Sequence, residues 1–77
     1  MTLTVEVLSK PLCPYCDKAK ALLTSMDIPF TTRTLGEDLT REELLEIAPT
    51  ARTMPQIIIN SEVIGGYDQL NTYIENT

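Results

Sequence analysis

Apolar and polar residues alternate from Thr4 to Ser9, with Val5 and Val7 at the period of two that marks a half-buried strand. That strand leads into Pro11 and Cys13, and from Pro14 the period changes. Ala19, Leu22, Leu23 and Met26 recur at three-and-four spacing, which predicts a helix, and Pro29 marks the far side of its stop. The Thr-rich run from Phe30 to Leu35, bounded by Pro29 and Gly36, predicts a second strand. Thr40 and Glu43 have the spacing of a capping box, in which each side chain accepts from the other's backbone N–H at a helix start; Leu44, Ile47 and Ala48 then form one apolar stripe before Pro49. Gln56 to Ile59 is a β-branched run, Asn60 and Ser61 are turn residues, and Glu62 to Ile64 is another short run, so these predict a hairpin. Gly65 and Gly66 break the chain, and Tyr67, Leu70, Tyr73 and Ile74 predict a closing helix. The predicted order is βαβαββα, an α/β arrangement whose helices can cover a small mixed sheet.

Size and charge narrow what such a sheet can do. The chain of 77 residues is expected to form one domain, residues 1–77; a domain this small hides only about 60% of the surface its unfolded chain exposes. It has no low-complexity tract or internal repeat, no basic start followed by a long apolar run, and no run near the roughly 18 apolar residues of a membrane span. A soluble, cytoplasmic, monomeric protein is therefore expected, without a membrane partner. Six Lys and Arg stand against eleven Asp and Glu, a net charge of −5, which argues against nucleic acid as a partner. The imbalance spares the N-terminal region: residues 1 to 20 carry +1 and the remainder −6, so the neighbourhood of the cysteines is the less negative part.

The two cysteines, Cys13 and Cys16, are three positions apart. A crosslink closing so short a loop removes little chain entropy, so a redox or metal role is the more economical use of the pair. Structural zinc asks for four Cys or His ligands, and the chain has two Cys and no His. No metal site is expected, and in a reducing compartment a Cys-x-x-Cys of this kind is catalytic. The attacking species in thiol exchange is the thiolate, which the first N–H groups of a helix stabilise; Cys13 has that position, and Cys16 follows one turn later on the same face. Pro14 suits the first helical turn and stiffens it, while Lys10 is a candidate for a positive charge near the thiolate.

Lys10-Pro11-Leu12-Cys13-Pro14-Tyr15-Cys16 resembles the active site of the glutaredoxins, for which Cys-Pro-Tyr-Cys is characteristic. Arg52-Thr53-Met54-Pro55 resembles that family's Thr-Val-Pro turn, and Gly65-Gly66-Tyr67-Asp68 resembles its Gly-Gly-x-Asp turn, so three motifs match in order over almost the whole chain. The resemblance implies a thioredoxin-like fold with a four-stranded mixed sheet and three helices, and a cis Met54–Pro55 peptide opposite the cysteines. It implies an oxidoreductase, with Cys13 and Cys16 catalytic, that reduces protein disulfides and glutathione mixed disulfides with glutathione as electron donor and no bound cofactor. It further implies a glutathione site that includes Thr53 and Pro55, in which Met54 pairs with the cysteinyl backbone, Gly66, Tyr67 and Asp68 hold the γ-glutamyl end, and Lys10 and Tyr15 lie beside the glycyl end.

The chain departs from the family pattern in two places. Many relatives aim a polar amide or basic group from the second helix at the glycyl carboxylate; here the neighbourhood reads Arg41-Glu42-Glu43, in which Arg41 can serve and Glu42 repels. Met54 replaces the commoner valine, in a role carried by the backbone. Disulfide-bearing proteins are the implied clients, a reductive enzyme such as ribonucleotide reductase among them. Two other readings use the same residues. One is a thioredoxin-like redoxin recharged by thioredoxin reductase, against which the Tyr67-Asp68 turn speaks. The other is an iron–sulfur cluster carrier, against which the second cysteine speaks.

Overall fold

The computed structural model describes residues 4–49, 51 and 53–76. Its elements follow the predicted order: β1 (Val5–Ser9), α1 (Pro14–Ser25), β2 (Thr31–Thr34), α2 (Arg41–Ile47), β3 (Gln56–Ile59), β4 (Glu62–Gly65) and α3 (Tyr67–Glu75). The strands lie in the spatial order β2-β1-β3-β4, with β1 parallel to β2 and antiparallel to β3, and β3 antiparallel to β4. This is the thioredoxin-like fold, a four-stranded mixed sheet with three helices. Arg52 and Thr50 lie outside the described residues.

The two-residue period of the central strands divides the core. Val5 and Val7 pair with Ile59 and Ile57 across β1 and β3, and this face packs on Ala19 and Leu23 of α1 and Leu70 of α3. Leu8 and Ile58 point the other way, against Leu39 and Leu44. All four residues of β3 are buried, as expected of a strand covered on both faces, which is why Ile57, Ile58 and Ile59 follow one another without alternation. An ion pair between Glu6 and Arg33, 2.6 Å, joins β1 to β2 on the less covered part of the α2 side.

The local chemistry at each boundary follows from the residues. Thr40 Oγ1 accepts from the Glu43 N–H at 3.1 Å, and Glu43 Oε1 accepts from the Thr40 N–H at 2.8 Å, so the predicted capping box forms in full. Asn60 and Ser61 both take left-handed backbone angles, φ 52° and 69°, the geometry that matches a two-residue hairpin turn to the twist of its strands. Met26 diverges from the predicted α1 stripe, capping the helix end with half its surface exposed, while Ala19 and Leu23 go fully into the core and Leu22 packs at its edge.

Gly65 ends β4 at φ +123°, a conformation L residues rarely adopt, and a β-carbon there would stand 2.7 Å from Gln69 Cγ. Gly65→Ala is therefore expected to lower stability by about 2 kcal/mol, read as a fall in the urea midpoint. An unchanged midpoint would mean that this turn relaxes without cost.

Candidate active site

The end of β1, the start of α1 and the loop before β3 meet at the two cysteines. Cys13 is the N-cap of α1 and Pro14 its first residue, so the chain turns from strand to helix at the sulfur. Leu12, at φ 55° and wholly exposed, makes that turn. Cys13 and Cys16 are joined as a disulfide, with Cα atoms 5.2 Å apart. The Cys16 N–H points at Cys13 Sγ from 3.2 Å, which is how a helix start holds negative charge on a capping sulfur. The two cysteines differ in access: Cys13 retains 7% of its residue surface and Cys16 only 1%.

Opposite them the Met54–Pro55 peptide is cis, and the Met54 carbonyl oxygen lies 3.6 Å from Cys13 Sγ. Gln56, buried at the start of β3, donates through Nε2 to the Thr53 carbonyl at 2.7 Å and closes the turn that carries Met54. Gly66 comes against the same loop: a β-carbon on it would lie 3.4 Å from the Pro55 carbonyl oxygen. The three sequence motifs, far apart along the chain, thus converge on one end of the sheet.

Two clefts open on either side of the Thr53-Met54 segment, which forms a wall of both. The first, about 340 Å³, is bounded by Tyr15, Pro55 and the residues Gly66, Tyr67 and Asp68 at the start of α3. The Tyr15 and Tyr67 rings meet at a tilt of 43° with centroids 6.0 Å apart, and the Lys18 ammonium sits 4.9 Å from the Tyr15 centroid. The second cleft, about 330 Å³, faces α2 and is bounded by Lys10, Arg41 and aliphatic side chains. Seven of the residues expected around glutathione, Tyr15 through Asp68, therefore share one cleft, while Lys10 stands with Arg41 in the other and apart from Tyr15.

Gln69 is a cleft residue that the pattern reading missed. Its Oε1 accepts from the Gly66 N–H at 2.9 Å, which leaves the N–H groups of Tyr67, Asp68 and Gln69 as the first-turn donors without an intrahelical acceptor. The signal was present as Gly66-x-x-Gln69, a capping spacing with glycine where Ser or Thr usually stands. Among the described residues, no cluster of three or more Cys, His, Asp or Glu side chains is placed to share a metal ion, and no helix is long and apolar enough to cross a membrane.

A dithiol at the N-terminus of the first helix, set against a cis-proline loop on a four-stranded mixed sheet, defines a thiol-disulfide oxidoreductase of the thioredoxin superfamily. The glutaredoxin family model matches residues 5–64. The chain is 42% identical to glutaredoxin 3 of Escherichia coli over 67 residues, covering 86% of this chain and 80% of that one. The solved structure of reduced E. coli glutaredoxin superposes with a TM-score of 0.79 at 26% identity, over 96% of this chain and 95% of that one. A buckwheat glutaredoxin solved as a complex with glutathione superposes at 0.76 and 27%, over 94% and 68% of the two chains. The chain belongs to the glutaredoxin family.

Proposed function

We propose that residues 1–77 form one catalytic unit, acting in the reducing cytoplasm, that reduces glutathione mixed disulfides and protein disulfides with electrons from glutathione. The observation that carries this reading is the placement of opposite charges at the two ends of the Thr53-Met54 wall: Asp68 and the open first turn of α3 at one end, Lys10 and Arg41 at the other. Glutathione has the matching layout. Its γ-glutamyl end bears an amine and a carboxylate, which suit the Asp68 carboxylate and the N–H groups of Tyr67 and Asp68. Its glycyl carboxylate suits Lys10 and Arg41. Between them its cysteinyl residue lies along Met54 as an added strand and brings its sulfur to Cys13. Thr53, Pro55 and Gly66 shape the backbone of this site, and the Tyr15–Tyr67 pair walls its outer side.

In this reading Cys13, the more exposed of the two cysteines and the cap of α1, attacks. The Cys13 thiolate bonds to the sulfur carrying glutathione, the original S–S bond breaks, and the other sulfur leaves as a thiolate. A second glutathione then takes the first from Cys13 as glutathione disulfide, restoring the Cys13 thiolate. The clients are disulfide-bearing proteins, ribonucleotide reductase being one candidate.

The test is NADPH consumption with a glutathione mixed disulfide, glutathione and glutathione reductase, run beside the same substrate with thioredoxin reductase. Robust turnover with the first pair alone is expected. Turnover supported by thioredoxin reductase alone would instead make the protein a redoxin that does not draw on glutathione.

A further inference from the structure

The cleft facing α2 holds more than a glycyl carboxylate needs. Its charged rim is Lys10 and Arg41, and neither cation forms an ion pair with a described residue. Its floor and far wall are aliphatic, made by Leu35, Leu44, Leu45 and Ala51. Leu44 belongs to the core beneath, but Leu45 does not: it lies off the stripe that α2 buries and keeps 39% of its surface exposed, one helical turn after Arg41. A glycyl group ends the chain and carries no side chain, so it can engage the cations while leaving this apolar wall wet. An exposed leucine beside an unpaired arginine, on an otherwise acidic helix, fits a ligand that continues past that point with one acid and one aliphatic group.

We propose that this cleft selects protein clients: it receives the residues that follow the client cysteine, and favours an acidic residue followed by an aliphatic one. The inference rests on the reading above that the client's sulfur is delivered to Cys13 by strand pairing along Met54. Direction along the wall follows from charge. Lys10 and Arg41 stand in a cleft with no acidic residue among the described residues of its lining, whereas at the other end the Asp68 carboxylate accompanies the α3 donors and calls for an amine, so an acid alone belongs at the cationic end, where a glutathione-like ligand has its C-terminal side. The client's acid meets the two cations at the rim, and its aliphatic side chain then covers Leu45 and the floor.

The chemical step is the dithiol exchange. The Cys13 thiolate bonds to the client sulfur as the client S–S bond breaks and the partner sulfur leaves as a thiolate. The Cys16 thiolate then attacks Cys13 Sγ, releasing the client thiolate and leaving the Cys13–Cys16 disulfide. Two electrons pass from the dithiol to the client, so prereduced protein performs one turnover with no other reductant.

This permits a test that does not involve glutathione. Two symmetrical peptide disulfides are mixed with prereduced protein in single-turnover stopped flow: capped Ala-Cys-Glu-Leu and capped Ala-Cys-Gln-Ser, each as its disulfide dimer. The Glu-Leu dimer is expected to react about tenfold faster at limiting concentration, as one charge contact and one partly buried aliphatic group together allow. Leu45→Glu, a substitution at an exposed helical position, is expected to bring the ratio near unity; Leu45→Met is expected to keep it. Unfolding midpoints of the three proteins identify any variant that fails to fold. Equal rates for the two dimers, or a ratio that survives Leu45→Glu, would overturn the proposal. Because the coupled glutathione assay is separate, loss of glutathione turnover with the peptide preference intact would count against the electron donor and in favour of this cleft.

Discussion

Cys13→Ser is expected to abolish exchange with every disulfide, a loss of at least about a thousandfold, because a serine hydroxyl stays protonated at neutral pH and forms no disulfide. Cys16→Ser is expected to divide the activities. Reduction of a glutathione mixed disulfide should keep at least about a third of its rate, since a second glutathione resolves the Cys13 adduct. Reduction of a peptide disulfide in single turnover should fall more than about tenfold, because the buried Cys16 is the only thiol held within reach of Cys13. The geometry behind this asymmetry is the difference in access: an incoming disulfide can approach Cys13, which keeps 7% of its surface and lies against the Met54 carbonyl on the wall of both clefts, but not Cys16, which keeps 1% in the first turn of α1. Equal loss of both activities in Cys16→Ser would mean that Cys16 takes part before the mixed disulfide forms, and the assignment of attacker and resolver would have to be redrawn.

Much of this arrangement was legible in the residues, and where it was, the cause was local. The capping box of α2, the hairpin turn at Asn60 and Ser61 and the cap position of Cys13 each depend on a few neighbours, so spacing and residue type specify them. The strand order β2-β1-β3-β4 depends instead on pairings such as Glu6 with Thr31 and Val5 with Ile59, which no local pattern records. The family resemblance supplied that fold, and the cis Met54–Pro55 peptide with it. Apolar residue type alone does not fix burial at the site: Leu12 is 99% exposed and Leu45, off the predicted Leu44-Ile47-Ala48 stripe, is 39% exposed, because the turn into α1 and the face of α2 direct them outward. The separation of Lys10 from Tyr15 into different clefts has the same origin: they lie five positions apart in sequence, but the Pro11-Leu12 turn and the Thr53-Met54 wall come between them. Gln69 escaped because its partner is a glycine, which offers no side chain to signal a cap.

The largest effect on stability is expected at Leu70, and it reaches the site. Leu70 is fully buried among Val7, Leu23 and Ile57, and its N–H donates at 3.0 Å to the Gly66 carbonyl, so the residue that ties α3 to the core is also in the turn that presents Tyr67 and Asp68. Leu70→Ala removes three buried carbons and leaves a cavity that its neighbours only partly fill, a cost of about 3 kcal/mol. A domain of this size is held by a margin near the lower end of the usual range, about 5 kcal/mol, so most of its stability goes with one side chain. The thermal midpoint should fall by about 15 °C. Leu12→Ala, which removes the same atoms from a fully exposed position, should change stability by less than about 0.5 kcal/mol. The pair of variants separates packing from composition: equal effects at the two leucines would mean that α3 is not held against the sheet by Leu70, and the support of the Gly66-Tyr67-Asp68 turn would have to come from β4 alone.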